Sequence, residues 1–413
     1  MNLSAKTNRR EFLVHGLGAA ACAALPSTAL RLVTPRRRDA DAILVVLQLS
    51  GGNDALSTFV PRDDDAYGRA RRATRLADED LLPLDDRVGL HPALKGLHAL
   101  FHDGHFAPIL GVGYQDPSFS HFTAMDVWHA ADRRGRSIPH GWLGRLADAC
   151  DPDAKLQEFA VAVGDGVRPR AIVGARHPGL SFARLDAFRF TGDLRDPRAE
   201  AAYRETNAQA PESTATSLDH VRKSAAIALE TSERMRAAAD GYAQKAEYPG
   251  TTLGSSFRTI AALIAGGVRT RVYYAFQGGY DTHAGQKARH DRLMTELDAA
   301  LGAFQLDLTK QGLAERVLTM GFSEFGRRVA ENGSEGTDHG AAGAMFVLGR
   351  GIAPGIHGAM PSLTTLQGGG GGSLVHGTDF RSVHAAVVEH WLGADPRLVI
   401  GEVASADCIR RDH

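Results

Sequence analysis

The run AILVVLQL at residues 42–49 is near-continuously apolar and rich in branched side chains. A run of that length and composition suits a strand buried on both faces, as in a parallel sheet covered by helices on each side. It ends in Ser50-Gly51-Gly52-Asn53-Asp54, where glycines allow a sharp turn and an acid arrives at the strand's carboxyl end. In open α/β sheets, ligands bind in the crevice just beyond those ends. The pattern returns at RVYYAF, residues 271–276, which leads into Gln277-Gly278-Gly279-Tyr280-Asp281-Thr282-His283. It returns again at residues 317–321, after which polar groups crowd: Ser323, Glu324, Arg327 and Arg328, then Thr337, Asp338, His339 and Gly340. The expected class is therefore α/β, a doubly wound and mostly parallel sheet with helices on both faces.

Further strands are expected at 106–112 and 344–348, with a shorter one at 159–163. Helices are expected at 91–101, 286–311 and 380–392, and His290 on the long one reads as a surface residue. Residues 168–194 look irregular. A helical insertion is expected at about 195–265, from Leu218, Val221, Ala225 and Leu229 at helical spacing and a second helix at 257–265. Five glycines, Gly368 to Gly372, predict a mobile loop before His376-Gly377-Thr378-Asp379. Residues 42–413 read as one domain.

The first residues are an address. Thr7-Asn8-Arg9-Arg10-Glu11-Phe12-Leu13 is followed by mostly apolar residues at 14–25 and small residues at Ser27-Thr28-Ala29. A basic start, a short apolar core and a small-residue cut site describe a bacterial export signal at 1–29, and the arginine pair makes it the twin-arginine type. A basic linker at 30–41 follows. The expected location is periplasmic or extracellular, with the twin-arginine translocase as partner during export. The apolar run is too short to span a bilayer comfortably, and no integral membrane segment is expected in the mature chain. The full chain has net charge −1, and removing the leader leaves −3, so no nucleic-acid partner is expected. Beyond Cys22 only Cys150 and Cys408 remain, free to pair in an oxidising compartment but without the spacing of a structural zinc site.

YQDPSFSHFTAMDVW, residues 114–128, runs from a loop into a helix. With Asp116 as cap and Pro117 as first helical residue, Ser118 and Ser120 fall in the first turn, where free N–H groups stabilise an oxyanion. A hydroxyl there can act as a nucleophile once a metal or base lowers its pKa. Asp54, Asp281, His283, Glu324, Asp338, His339 and His376 all follow strands or sit in glycine-bearing loops. Carboxylates with imidazoles are ligands for zinc or manganese, or for calcium if the histidines stand aside. Two such ions roughly 4 Å apart would serve an in-line displacement. Asn53, His121, Arg327 and Arg328 are assigned to substrate binding, the arginines as anion grips.

The order strand–Asp, helix-start Ser, strand–Asp-x-His and Asp-His-Gly resembles the alkaline phosphatase superfamily of phosphatases, sulfatases, phosphodiesterases and phosphonate hydrolases. More closely, LQLSGGNDALSTFVP, GVGYQDPSFSHFTAMDVW, GGYDTHAGQ, GFSEFGRRVAENGSEGTDHG and TDFRSV resemble a family of twin-arginine-exported bacterial proteins, the domain of unknown function fifteen-oh-one. The superfamily resemblance implies that Asp54 is the first strand's metal-binding acid. It implies that Pro117-Ser118-Phe119-Ser120 carries the nucleophile, favouring Ser120 over Ser118, and that Asp338 and His339 supply two ligands. Asp281 and His283 resemble the Asp and His of the other metal at a shorter spacing, and His376 the late histidine. Three departures stand out. Ser323-Glu324-Phe325-Gly326 occupies the place where Asp-His-Gly normally follows its strand, so either Glu324 substitutes as ligand or the pair has moved onto a loop. The segment after Ser120 lacks the usual Asn. No Cys-x-Pro-x-Arg occurs, so formylglycine sulfatase chemistry is not expected. The expectation is an exported metal-dependent hydrolase of phosphate or related esters (sulfate, phosphodiester) of small molecules or glycans. The alternative is an exported binding protein that uses a phosphatase-like scaffold without catalysis.

Overall fold

A computed structural model describes residues 41–189, 196–208, 217–368 and 372–411. The expected export signal, most of the linker and the centre of the glycine run lie outside the described residues.

Eight strands form the central sheet: β1 (Ile43–Ser50), β2 (Phe106–Gly113), β3 (Ala160–Val163), β4 (Leu180–Phe182), β5 (Val272–Gly278), β6 (Val317–Phe322), β7 (Gly343–Gly349) and β8 (Thr378–Asp379). Their order is β8-β2-β7-β6-β1-β5-β3-β4. Every neighbouring pair is parallel except those of β7, which runs antiparallel to both β2 and β6. The helices are α1 (Lys95–His102), α2 (His121–Ala130), α3 (Trp142–Cys150), α4 (Pro197–Ala208), α5 (Ser217–Ala239), α6 (Thr252–Ala265), α7 (Gln286–Lys310) and α8 (Phe380–Ala386).

Alternation along β1 divides the core. Leu44 and Val46 pack in one cluster with Trp128 of α2, Trp142 of α3 and Phe380 of α8. Val45, Leu47 and Leu49 pack in the other with Leu97 of α1, Phe257 of α6 and Phe304 of α7. Helices thus cover both faces, which is why β1 carries almost no polar residue before Gln48. The fold is the doubly wound α/β class.

Several expectations shift. The irregular stretch 168–194 contributes the edge strand β4. Helix α6 buries Leu253, Phe257, Ile260 and Leu263 against the sheet, so it is a core layer rather than part of an insertion. His290 is 2% exposed, wedged between the rings of His91 and Tyr280 with its Nε2 3.0 Å from Asn53 Oδ1. α8 gives way to a π turn at Val387–Trp391. Cys150 and Cys408 are both free. Among the described residues, no helix is long and apolar enough to cross a membrane.

Candidate metal centre

The carboxyl ends of β5, β1 and β6 lie side by side, and the loops that leave them meet. Gly51 makes the approach possible: its φ is +121°, and a Cβ there would sit 2.4 Å from the Asp281 nitrogen. Only glycine takes that backbone and leaves that space.

Asp281 is the hub. Its Oδ1 accepts from Arg327 Nη2 at 2.7 Å and lies 3.1 Å from both His339 Nε2 and His283 Nε2. Those two imidazole nitrogens are 3.0 Å apart. Its Oδ2 lies 3.5 Å from Nε2 of His121, a buried atom with no hydrogen-bond partner. The other nitrogen of each ring is anchored outside the cluster. His121 Nδ1 is 2.7 Å from Glu324 Oε1, His339 Nδ1 is 2.8 Å from the Phe119 carbonyl, and His283 Nδ1 is 3.1 Å from Asp338 Oδ1. Asn332 Nδ2 steadies Asp338 Oδ1 at 3.2 Å.

Tautomers follow from these partners. A carbonyl and carboxylates accept, so each imidazole places its proton on Nδ1 and leaves a bare lone pair on Nε2. Three such lone pairs then converge on a carboxylate whose one protein donor is Arg327. Acceptors do not hold one another together; a cation, or extra protons on the rings, must sit among them. The ligand atoms of His121, Asp281 and His339 all lie within 4.8 Å of one another, a possible metal triad. Imidazoles anchored at Nδ1 by a carboxylate or carbonyl are the usual outer support of a metal-binding histidine.

Local charge acts on the rings in opposite directions. The Glu324 hydrogen bond raises the pKa of His121 against its partial burial. Burial lowers that of His339, opposed by Asp281 and the Phe119 carbonyl. Burial pushes Asp281 up, but the Arg327 guanidinium bonded to it, joined by His339 and His283 when their rings carry the extra proton, outweighs it and holds the carboxyl well below the usual range. The Asn332 hydrogen bond does the same for Asp338.

The expected residues divide. Asp281, His283 and His339 meet, and His121, expected to bind substrate, belongs with them. Glu324 and Asp338 stand one layer out. Asp54 is elsewhere: it is 1% exposed, bridged by Arg71 Nη1 at 2.5 Å, and caps the turn Ala55–Thr58 through the Leu56 N–H. Gln286 and Ser57 take its remaining capacity. The expectation that it binds a metal is corrected by that buried arginine. Arg327 is also spoken for. It is 1% exposed and donates to the carbonyls of Gly51, Gly52, Tyr280 and Thr337 as well as to Asp281, so it clamps loops rather than gripping an anion. Asn53 turns inward to Thr58 and His290, away from any substrate. Arg328 is half-buried, with its charge felt by Asp338. His376 packs against Gly113, close to Asp379, and is not among the converging groups.

The serines lie in the loop that leads into α2 and His121. Helix α2 starts at His121, not at Pro117, because Asp116 takes a left-handed φ of 54° and Tyr114 Oη claims the Ser118 N–H. Ser120 is then the N-cap residue, yet its hydroxyl makes no cap bond; instead its N–H donates to Ser118 Oγ at 3.2 Å. An exposed serine hydroxyl without a structural task thus stands between Phe119, whose carbonyl holds His339, and His121.

Fold and centre together define an α/β protein with a histidine–aspartate cluster at its strand ends. The chain belongs to the family described as "Protein of unknown function (DUF1501)", which matches residues 41–400. No curated protein matches it. Among solved structures it is similar to the lipoteichoic acid synthase LtaP from Listeria monocytogenes, at 8% identity and TM-score 0.40, covering 92% of this chain and 80% of that one. It is also similar to the C-terminal periplasmic domain of EptC from Escherichia coli in complex with zinc, at 7% identity and TM-score 0.37, with 75% and 72% covered. A third is the PsFucS1 sulfatase from Pseudoalteromonas sp., at 12% and 0.36, with 89% and 73% covered. Likenesses of this size say nothing about activity, which has to be argued from this chain's own residues.

Proposed function

We propose that the chain is a metal-dependent hydrolase of phosphate or related oxyanion esters, with Ser120 as the nucleophile and one divalent ion per chain. The carrying observation is the meeting of three imidazole Nε2 atoms with the Asp281 carboxylate. His121, Asp281 and His339 would hold the ion, with His283 as the fourth donor; a nitrogen-rich set of this kind suits zinc first and manganese second. A bound ion supplies a Lewis acid for the ester oxygen and for the serine hydroxyl.

The chain's own residues do the rest. Glu324 and the Phe119 carbonyl aim two of the imidazoles, and Arg327 fixes the carboxylate. The Ser120 hydroxyl, spared from capping, is free to attack. One ion rather than two follows from the donors around the other acids. Asp54 is neutralised by Arg71, Glu324 accepts from the Gly51 N–H, Ser323 and His121, and Asp338 is engaged by Asn332 and His283.

The test is metal content by mass spectrometry on protein purified without chelators, followed by an ester screen. One equivalent of zinc or manganese is expected, lost in His121→Ala and in Asp281→Ala. Turnover should vanish in Ser120→Ala while the metal stays. A folded protein that neither carries nor takes up an ion would overturn the reading. A metal-loaded protein with no turnover would leave an exported binding protein in its place.

A further inference from the structure

Among the described residues, two phenylalanine side chains are largely exposed, and both adjoin residues of the centre in sequence. Phe122 is 79% exposed and Phe119 is 44% exposed. They bracket Ser120 and His121 in sequence, the candidate nucleophile and a candidate ligand. Phe119 is tied to the centre by its own carbonyl, 2.8 Å from His339 Nδ1, and the His121 ring packs against those of Phe325 and His339, which also touch each other.

Single exposed apolar residues need no explanation, but apolar surface gathered at a site does. Phenylalanine offers no hydrogen bond, so neither ring can serve the oxyanion. What each offers is a flat, rigid face. An ester whose oxyanion reaches the cluster must lay its alcohol against whatever lines the mouth. Phe119 and Phe122, exposed on either side of Ser120 and His121 in the chain, are the apolar rings at hand.

We propose that Phe119 and Phe122 form a stacking platform that selects oxyanion esters of ring-bearing alcohols, either aryl alcohols or sugars presenting a C–H face. This rests on the ester-binding reading of the centre. It deepens that reading by naming the substrate class. Both ring types share the chemistry of a flat apolar face on an aromatic face, and each such contact is worth a factor of about two to ten in affinity.

The experiment uses the zinc-loaded full chain carrying Phe122→Trp as a fluorescent reporter. It is titrated with phenyl phosphate, glucose 6-phosphate and glucose 6-sulfate as ring-bearing probes. Hexyl phosphate, glycerol phosphate and inorganic phosphate are the ring-free controls. Zinc content shows that each variant is folded and loaded. A saturable emission change is expected with at least one ring-bearing probe, at an affinity about tenfold above every ring-free control. Adding Phe119→Ala should weaken it about two- to tenfold. Response to phenyl phosphate alone assigns an aryl ester, and response to the glucose esters assigns a sugar. Equal or tighter binding of hexyl phosphate, or no emission change with any ring-bearing probe, overturns the platform. Selective binding without turnover of any ester would instead sink only the hydrolase reading, so the two failures are distinguishable.

Discussion

Glu324 illustrates how single residues work here. One of its oxygens receives the Gly51 N–H at 2.9 Å and also meets His121 Nδ1, while the other receives Ser323 Oγ at 3.1 Å. Under the reading proposed above, these bonds leave it to aim His121 rather than to bind an ion. Glu324→Gln keeps the shape but weakens the acceptor, and losses of outer partners typically cost 10- to 100-fold in metal affinity. A competition titration against a zinc chelator should therefore show about a tenfold weaker site, with the fold intact. Asp54 and Arg71 make the opposite case. Arg71→Met would strand a buried carboxylate, and breaking such a pair costs about 3–5 kcal/mol. Urea unfolding should show that loss, and Asp54→Asn combined with Arg71→Met should recover much of it. Asp54 looked like a ligand because an acid at a strand end is all that the local sequence displays. The arginine that claims it lies 17 positions on and converges only in the folded chain. The place of His121 beside Asp281 is hidden for the same reason: the carboxylate that aims it is 203 positions away. By contrast, Asp281, His283 and His339 were legible, because glycine turns after apolar strands deliver acids and imidazoles to one edge of an α/β sheet.

Among the elements, strands were the most legible, since an apolar run of branched residues has few other homes. Helix starts were less so. Asp116-Pro117 has the composition of a cap, but a left-handed residue at Asp116 delays α2 to His121. Buried histidines on the helices give this level its own prediction. Burial holds His129 on α2 and His290 on α7 near pKa 4, and His384 on α8 near 3. All three lie below the unfolded value of about 6.5. A depressed pKa means that the unfolded chain takes up protons first. The stability these groups allow is thus complete above about pH 6.5 and drains away as pH falls toward 4 and then 3. His384 is the cleanest probe: its ring stacks on Trp142 at 4.4 Å, and neither nitrogen has a hydrogen-bond partner. His384→Phe should fold, and chemical denaturation between pH 7 and 4 should show its slope reduced by about one proton, or about 1.4 kcal/mol per pH unit. An unchanged slope would mean that His384 is already protonated in the native state.

For the whole molecule, the centre is built from segments that begin at Phe119, Tyr280 and Ser323 and end at His339, so its assembly depends on the sheet being in place. The reverse dependence is weaker. The two core clusters that flank the sheet are filled mostly by residues of the strands and covering helices, and of the centre's loop residues 280–283 and 323–339 Tyr280 alone joins them. Arg327, moreover, ties the loops after β1 and β5 to its own through four carbonyls without any ion. Removing the metal should then leave the sheet folded and loosen only the outer loop. Hydrogen exchange after chelation should show protection retained in β1, β5 and β6 and lost across residues 332–340. Heating should reveal a lower midpoint, because an ion present at a thousand times its dissociation constant adds about 4 kcal/mol. Arg327→Met should behave differently. With the clamp gone, the strand-end loops separate, so residues 51–54 and 279–283 should lose protection as well, and added zinc should fail to restore it. If chelation alone unfolded β1, the ion would be holding the sheet together, and the order of dependence argued here, sheet first and centre second, would be reversed.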